Sequence, residues 1–296
     1  MRFREAELKV RLDFAAMTYW RWGCSSWSEP GWVGPFYPPG TKPAQFLSQY
    51  AAEFDTVEAD TTYYRSPSAE LVDGWARKTP AGFSLSAKFP RSIVHGGEGR
   101  EPDPERVLSL ATALPQAERF IDTMARMGDK LGPLVLQFPY FNQRAFATRE
   151  AFQSRLEPFL DALPVGPRYA VEVRNKQWIR AELLEALRAR RVALVLLDLA
   201  YMPHPDEWLG KLDLVTAEFL YVRLIGDRAA VEARTERFDA IVLDQSARLE
   251  RWAALLLALS PGVREVWSYA NNHYAGHGPA TIRDLRARVE AASASR

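Results

Sequence analysis

The chain has a single cysteine, Cys24, in 296 residues. One thiol excludes an intrachain disulfide and any metal centre built from several thiolates, and it suits a reducing compartment. Histidine is scarce too. There are four, His95, His204, His273 and His277, with neither an H-x-H nor an H-E-x-x-H spacing, so a zinc cluster of imidazoles is not expected. An excess of either charge is also missing, since 38 Lys and Arg face 37 Asp and Glu, for a formal net charge of +1. The field of the whole molecule neither draws nor repels a polyanion, and affinity for nucleic acid would need a local patch. No apolar run reaches the roughly 18 residues of a membrane span. Charges run from Arg2 to Asp13, where a secretory leader would be apolar. These absences predict a soluble cytoplasmic protein with no membrane association.

What is present is a rhythm of eight short apolar runs: Trp20–Cys24, Thr56–Ala59, Phe83–Ala87, Leu134–Phe138, Tyr169–Val173, Ala193–Leu197, Leu220–Ile225 and Val263–Ala270. Nearly all end on or beside a polar residue, and helical patterns fill most of the gaps. Such alternation predicts an α/β protein, a single (β/α)8 TIM-type barrel whose function gathers at the C-terminal ends of the strands. A barrel of this kind takes about 250 residues, so a barrel over 18–292 is expected after an N-terminal extension over 1–17. Long loops follow strands one and three, Ser25–Gly40 and Arg91–Pro104. The first carries Trp27, Trp32, Phe36 and Tyr37, too aromatic for a disordered linker. Strand four reads as Leu131–Gln137 once Gly132-Pro133 is included. Leu114–Met127 and Phe238–Leu259 read as helices, and a last helix begins near Pro279, where proline suits the first turn.

Period-two alternation sets Glu58 and Asp60 on one side of strand two, with Thr62 and Tyr64 continuing outward. Glu172 and Arg174 stand in the same relation on strand five. Lys88, Gln137, Asp198 and Arg223 come from strands three, four, six and seven, and His95 from the loop after strand three. In one reading Glu58, Lys88, Glu172 and Arg174 are catalytic, with burial setting the carboxyl groups apart for acid/base work. In another, Glu58, Glu172 and Asp198, with His95 or His273, hold a hard divalent cation, Mg2+ or Mn2+. A third reading is purely structural: Lys88 and Arg174 neutralise two buried carboxylates, because a barrel interior must pair its charges whatever the function.

After strand eight, Asn271-Asn272-His273-Tyr274-Ala275-Gly276-His277-Gly278-Pro279 opens into a helix. Free N–H groups and the helix dipole there favour an anion, and barrels often hold phosphate at this position. A tight turn in which glycine supplies unusual dihedrals fits the same residues. The candidates for substrate or anion binding are Ser25, Trp27, Tyr64, His95, Gln137, Trp178, Arg223, Asn271, Asn272, His273, Gly276 and Gly278. The aromatics among them, beside Arg174, could stack a sugar or a base.

The ordered set of strand-end motifs resembles the YecE-like family (domain of unknown function 72), whose members have a TIM-barrel fold. The stretches that carry the resemblance are Gly23-Cys24-Ser25-Ser26-Trp27, Trp32–Pro38, Val57–Tyr64, Ser86-Ala87-Lys88 with His95, and Leu134–Pro139. Val171-Glu172-Val173-Arg174 with Trp178, Tyr221-Val222-Arg223, and Asn271-Asn272-His273 with Gly276 complete it, across roughly residues 19–290. Asp60 stands where the family pattern more often has Asn, Asn175 where His is common, and Ile225 where His usually follows the strand-seven Arg. The loss of two imidazoles weakens a metal site further. Barrels of this kind include sugar isomerases and DNA-repair endonucleases, so the resemblance implies a fold rather than a substrate. The function expected is an enzyme of hydrolase or isomerase type, acting on a phosphate-bearing sugar or nucleic-acid-like substrate through its carboxylates. The alternatives are a non-catalytic nucleic-acid binder using the same strand ends, and a barrel that binds a sugar or another small ligand.

Overall fold

The computed structural model describes residues 18–295 apart from 98 and 100; the expected extension over 1–17 lies outside them. Its strands are β1 (Tyr19–Cys24), β2 (Thr56–Ala59), β3 (Ser84–Lys88), β4 (Leu131–Gln137), β5 (Tyr169–Glu172), β6 (Ala193–Leu199), β7 (Phe219–Gly226) and β8 (Glu265–Ala270). Between and after them lie α1 (Phe46–Tyr50), α2 (Ala69–Lys78), α3 (Arg91–Val94), α4 (Leu114–Met124), α5 (Arg149–Ala162), α6 (Ala181–Ala189), α7 (Arg228–Glu232), α8 (Ser246–Leu259), α9 (Asn272–Ala275) and α10 (Gly278–Ala294). Among the described residues no helix is long and apolar enough to cross a membrane.

The described residues divide into two compact units, one of Leu47–Val192 and one that joins residues 18–46 to residues 193–295. In the first, the strands run β2-β3-β4-β5, all parallel. The register pairs Glu58 with Ser86, Lys88 with Val135, and Gln137 with Glu172. Register partners in a parallel sheet project to the same side, so this sheet has two unlike faces. Val57, Leu85, Ala87, Leu134, Leu136 and Val171, all buried, form an apolar one. Glu58, Ser86, Lys88, Gln137 and Glu172 occupy the other. Ser68 and Thr148 start α2 and α5 by accepting the N–H groups of Leu71 at 3.3 Å and Ala151 at 3.2 Å.

In the second unit the strands run β1-β8-β7-β6, again parallel. Here the face that carries Arg21, Tyr221, Arg223, Glu265, Trp267 and Tyr269 is filled with rings. Arg21 lies 4.7 Å over the Trp267 ring and 3.6 Å from Glu265, and Tyr221 and Tyr269 sit 5.1 Å apart. Asp198 falls on the opposite face, in register with Leu224. Its carboxylate accepts from Trp252 Nε1 at 2.7 Å and from the Tyr274 hydroxyl at 2.9 Å, and it pairs with Arg248. It therefore braces α8 and α9 and is not a member of a charged group at the strand ends.

Two helices depart from expectation. The one expected from Phe238 begins only at Ser246. Phe238 has a left-handed φ of +51°, and Val242 and Leu243 donate their N–H groups to the Ala275 carbonyl at 2.7 and 3.1 Å. Apolar residues at helical spacing here hold a loop along the turn after β8. The helix expected to reach Met127 ends at Met124 and tightens into a 3-10 turn over Ala125–Lys130.

Gly226 ends β7 with φ +77°, where a Cβ would lie 2.5 Å from Tyr274 Cα and 2.6 Å from the His273 carbonyl oxygen. Only glycine permits that approach of α9. Gly226→Ala is expected to lower unfolding free energy by about 3 kcal/mol. Urea unfolding measures it, and an unchanged midpoint would show that α9 can shift away.

Candidate active site

The polar face of the 47–192 unit holds two ion pairs of different character. Glu58, fully buried, faces Lys88 Nζ at 3.3 Å, and the lysine side chain is only 8% exposed. Thr62 fixes the end of β3 beside them: its Oγ1 lies 2.8 Å from the Lys88 carbonyl and accepts the Lys88 N–H at 3.0 Å. Glu172, equally buried, receives Arg174 Nε at 2.7 Å, but the arginine side chain is 23% exposed. The first pair is closed. The second has a cation with a free path to solvent. The Glu58 and Lys88 pair is enclosed, while the Glu172 and Arg174 pair keeps a partly exposed cation.

Tyr63, not Tyr64, joins them. Alternation carried past the end of β2 puts Tyr64 on the Glu58 side, but the strand stops at Ala59 and a 3-10 turn over Thr61–Tyr63 resets the period. Tyr64 is consequently 72% exposed, whereas Tyr63 sits in the electrostatic reach of Arg91, Arg174 and Glu172. Burial pushes the Tyr63 phenol up against the pull of both arginines, so it is a neutral donor near pH 7. Arg91, the first residue of α3, donates to the Gly99 carbonyl and lies 3.4 Å from Nε2 of the buried His95. Tyr63 and Arg91 carried no sequence signal beyond their place after strand ends. The Thr61–Tyr63 turn also borders a cavity of about 480 Å3 lined by Thr61, Thr62, Arg65, Ser68, Leu71 and Trp75.

One expected ligand contact, Trp178, lies in the packed interior. Trp178 is buried in an aromatic stack, 5.0 Å from Phe152 and 6.0 Å from Phe141. Asn175 clamps Phe141, accepting from its N–H at 2.9 Å and donating to its carbonyl at 2.8 Å. Gln137 stays on the polar face beside Glu172.

In the other unit, Arg223 is buried on the ring-filled face and Ser25 sits buried at the end of β1. Trp27, half-buried, accepts the Tyr37 hydroxyl on its carbonyl at 2.6 Å. The turn after β8 caps itself. Asn271 Oδ1 accepts the His273 N–H at 2.9 Å, and His273 Nε2 faces Glu232 at 3.2 Å. Asn272 Oδ1 accepts both Trp32 Nε1 at 3.1 Å and the Gly278 N–H at 2.9 Å. Pro279 has no N–H, Ala280 donates to His277 Nδ1 at 3.2 Å, and Thr281 donates to the His277 carbonyl at 3.1 Å. Every first-turn donor of α10 is thus taken from within, and the anion expected on Gly278 meets no free N–H. Gly276, at φ +108°, serves the turn, because a Cβ there would lie 2.6 Å from the Ala240 carbonyl oxygen.

The divalent-cation reading meets the same kind of obstacle. Among the described residues no three His, Cys, Asp or Glu side chains gather as metal ligands. Asp198 is committed to Arg248, Trp252 and Tyr274, and Glu58 and Glu172 each carry a cation already.

Eight parallel strands alternating with helices, with buried charge at strand ends, define a (β/α)8 TIM-barrel protein. The family model described as "Protein of unknown function DUF72" matches residues 21–296, and the chain belongs to that family. UPF0759 protein YecE of Escherichia coli (strain K12) is 32% identical over 181 residues, a match that spans 60% of this chain and 58% of YecE. The crystal structure of a DUF72 family protein from Thermotoga maritima is similar at a TM-score of 0.67 and 26% identity, over 93% of this chain and 99% of that one. A DUF72 family protein from Enterococcus faecalis, at 20% identity, gives 0.66 over 92% and 95%; this is a likeness of fold alone.

Two outcomes follow from the geometry. Lys88→Met alone strands Glu58 and is expected to cost about 3–5 kcal/mol, while the Glu58→Met, Lys88→Met double variant recovers most of it. Chemical unfolding of the three proteins decides this, and equal losses in single and double variants would mean that the pair is not a closed layer. His277, pushed down to about 4 chiefly by burial, is neutral in the folded chain. An unfolded histidine takes its proton first, near pH 6.5, so this stability is full above that pH and drains as pH falls toward 4. His277→Asn keeps a cap acceptor and should flatten the acid limb of the stability profile over that window.

Proposed function

We propose that the chain is an enzyme whose chemistry is proton transfer by Glu172 on a small sugar-like, phosphate-bearing substrate, of the isomerase or hydrolase type. The observation that carries the proposal is the contrast between the two ion pairs: a closed one at Glu58 and Lys88, and one at Glu172 whose partner reaches solvent. A purely structural layer has no need of the second kind. Arg174 Nε donates to a carboxylate oxygen of Glu172 at 2.7 Å and so orients that carboxylate for proton transfer. In this reading the removed proton rests on Glu172, and the negative charge that develops on a substrate oxygen is met by Arg174. Lys88 and Glu58 are positioning residues that keep the β2 and β3 ends rigid. The net charge of +1 gives the nucleic-acid reading no comparable support.

A panel of aldose, ketose and sugar-phosphate substrates incubated in D2O tests this without prior choice of product. Isomerisation through proton transfer leaves deuterium on carbon, and hydrolysis releases a new species, both visible by NMR. Glu172→Gln, nearly the same shape, is expected to lower the rate by about 10²-fold or more. Native rates in that variant, or neither exchange nor hydrolysis across the panel, would count against the proposal.

A further inference from the structure

Three donors at the ends of β2, β3 and β5 are only partly used. Arg174 gives its Nε to Glu172 at 2.7 Å, and its two terminal nitrogens have no hydrogen-bond partner among the described residues. Arg91 commits one terminal nitrogen, to the Gly99 carbonyl and toward His95 Nε2 at 3.4 Å, and its Nε and other terminal nitrogen have no hydrogen-bond partner among the described residues. Tyr63 donates its backbone N–H to the Asp60 carbonyl at 3.2 Å, while its hydroxyl has no hydrogen-bond partner among the described residues. The strands that carry them are neighbours whose ends are in register, Ala59 with Ala87, Lys88 with Val135 and Gln137 with Glu172, so the residues just beyond β2, β3 and β5 are brought to one end of this sheet, and both guanidinium groups lie within electrostatic reach of the Tyr63 phenol. They are also held there. Thr62, the residue before Tyr63, is bonded to both the N–H and the carbonyl of Lys88, and Arg91 starts a helix three residues after β3.

We infer that Tyr63, Arg91 and Arg174 form the site that holds the phosphate of the substrate. The inference rests on the proposed function, in that it names the group by which that substrate is gripped. Two guanidinium forks and one hydroxyl can meet three oxygens of a phosphate ester. Arg91 and Arg174 supply two positive charges for the anion. A phosphate held here sits beside Glu172, which is where a proton-transfer mechanism needs the sugar. The self-capped turn after β8 offers no such set of donors.

Inorganic phosphate titrated into the full chain, followed by calorimetry, provides the test. Arg91→Gln and Arg174→Gln are each expected to weaken binding about tenfold to a hundredfold, the loss of a charged hydrogen bond. Tyr63→Phe should weaken it several-fold. Glu172→Gln, which removes a like charge, should bind at least as tightly as the native chain. Arg174→Gln leaves Glu172 without its cation, so the Glu172→Gln, Arg174→Gln double variant carries the same test if the single one misfolds. Absence of phosphate binding at millimolar concentration, or native affinity in the Arg91 and Arg174 variants, overturns the site. Phosphate binding needs no turnover. Donor-dependent binding with no turnover of any sugar would overturn the proton-transfer reading and leave this site standing. Turnover lost in Glu172→Gln with phosphate affinity indifferent to all three donors would do the reverse.

Discussion

A charge taken out of water has to meet an opposite charge within a few ångströms, and the polar strand face of residues 47–192 is organised by that demand. Glu58 and Glu172 are both fully enclosed, and each is paired with a cation. What differs is the carrier. A lysine pinned beside Thr62 closes the first pair, and a partly exposed arginine leaves the second open. Rigidity at one carboxylate and access at the other follow from the side chain that supplies the charge. Arginine suits the second role, because one nitrogen can hold the carboxylate while the rest of the fork stays available.

The other unit meets several of its buried polar groups with rings, amides and hydroxyls. Arg21 lies over Trp267, Asp198 is surrounded by Trp252, Tyr274 and Arg248, and the two asparagines after β8 serve backbone N–H groups. Ser25 Oγ, Ser268 Oγ and His277 Nε2 are nonetheless buried there with no hydrogen-bond partner among the described residues.

Much of this was legible in the sequence. The eight apolar runs locate the eight strands to within a few residues, because β-branched and aromatic residues in short runs bounded by Pro, Gly and polar residues fit little else. Glu58, Lys88, Glu172 and Arg174 were readable as paired charges for the same reason. Three features were not legible, each for a local cause. Tyr63 and Tyr64 exchanged roles because alternation was carried beyond the last residue of β2, into a turn with another period. Asp198 could not be assigned to a face, since β6 reads Ala193-Leu194-Val195-Leu196-Leu197-Asp198-Leu199 and is apolar on both sides. The anion-friendly look of the turn after β8 concealed that its own asparagine and histidine side chains reach its free N–H groups first. That competition is decided by a few ångströms, which composition does not record.

Asp198 has a dynamic consequence. Its buried carboxylate is shared by Trp252 and Arg248 of α8 and by Tyr274 of α9. If either helix pulls away alone, the carboxylate loses donors that water cannot replace without entering the core. Local opening is therefore expensive for one piece and little dearer for both. The amide protons of α8 and of the short helix after β8 are expected to exchange as one cooperative unit, anchored by a side chain of β6.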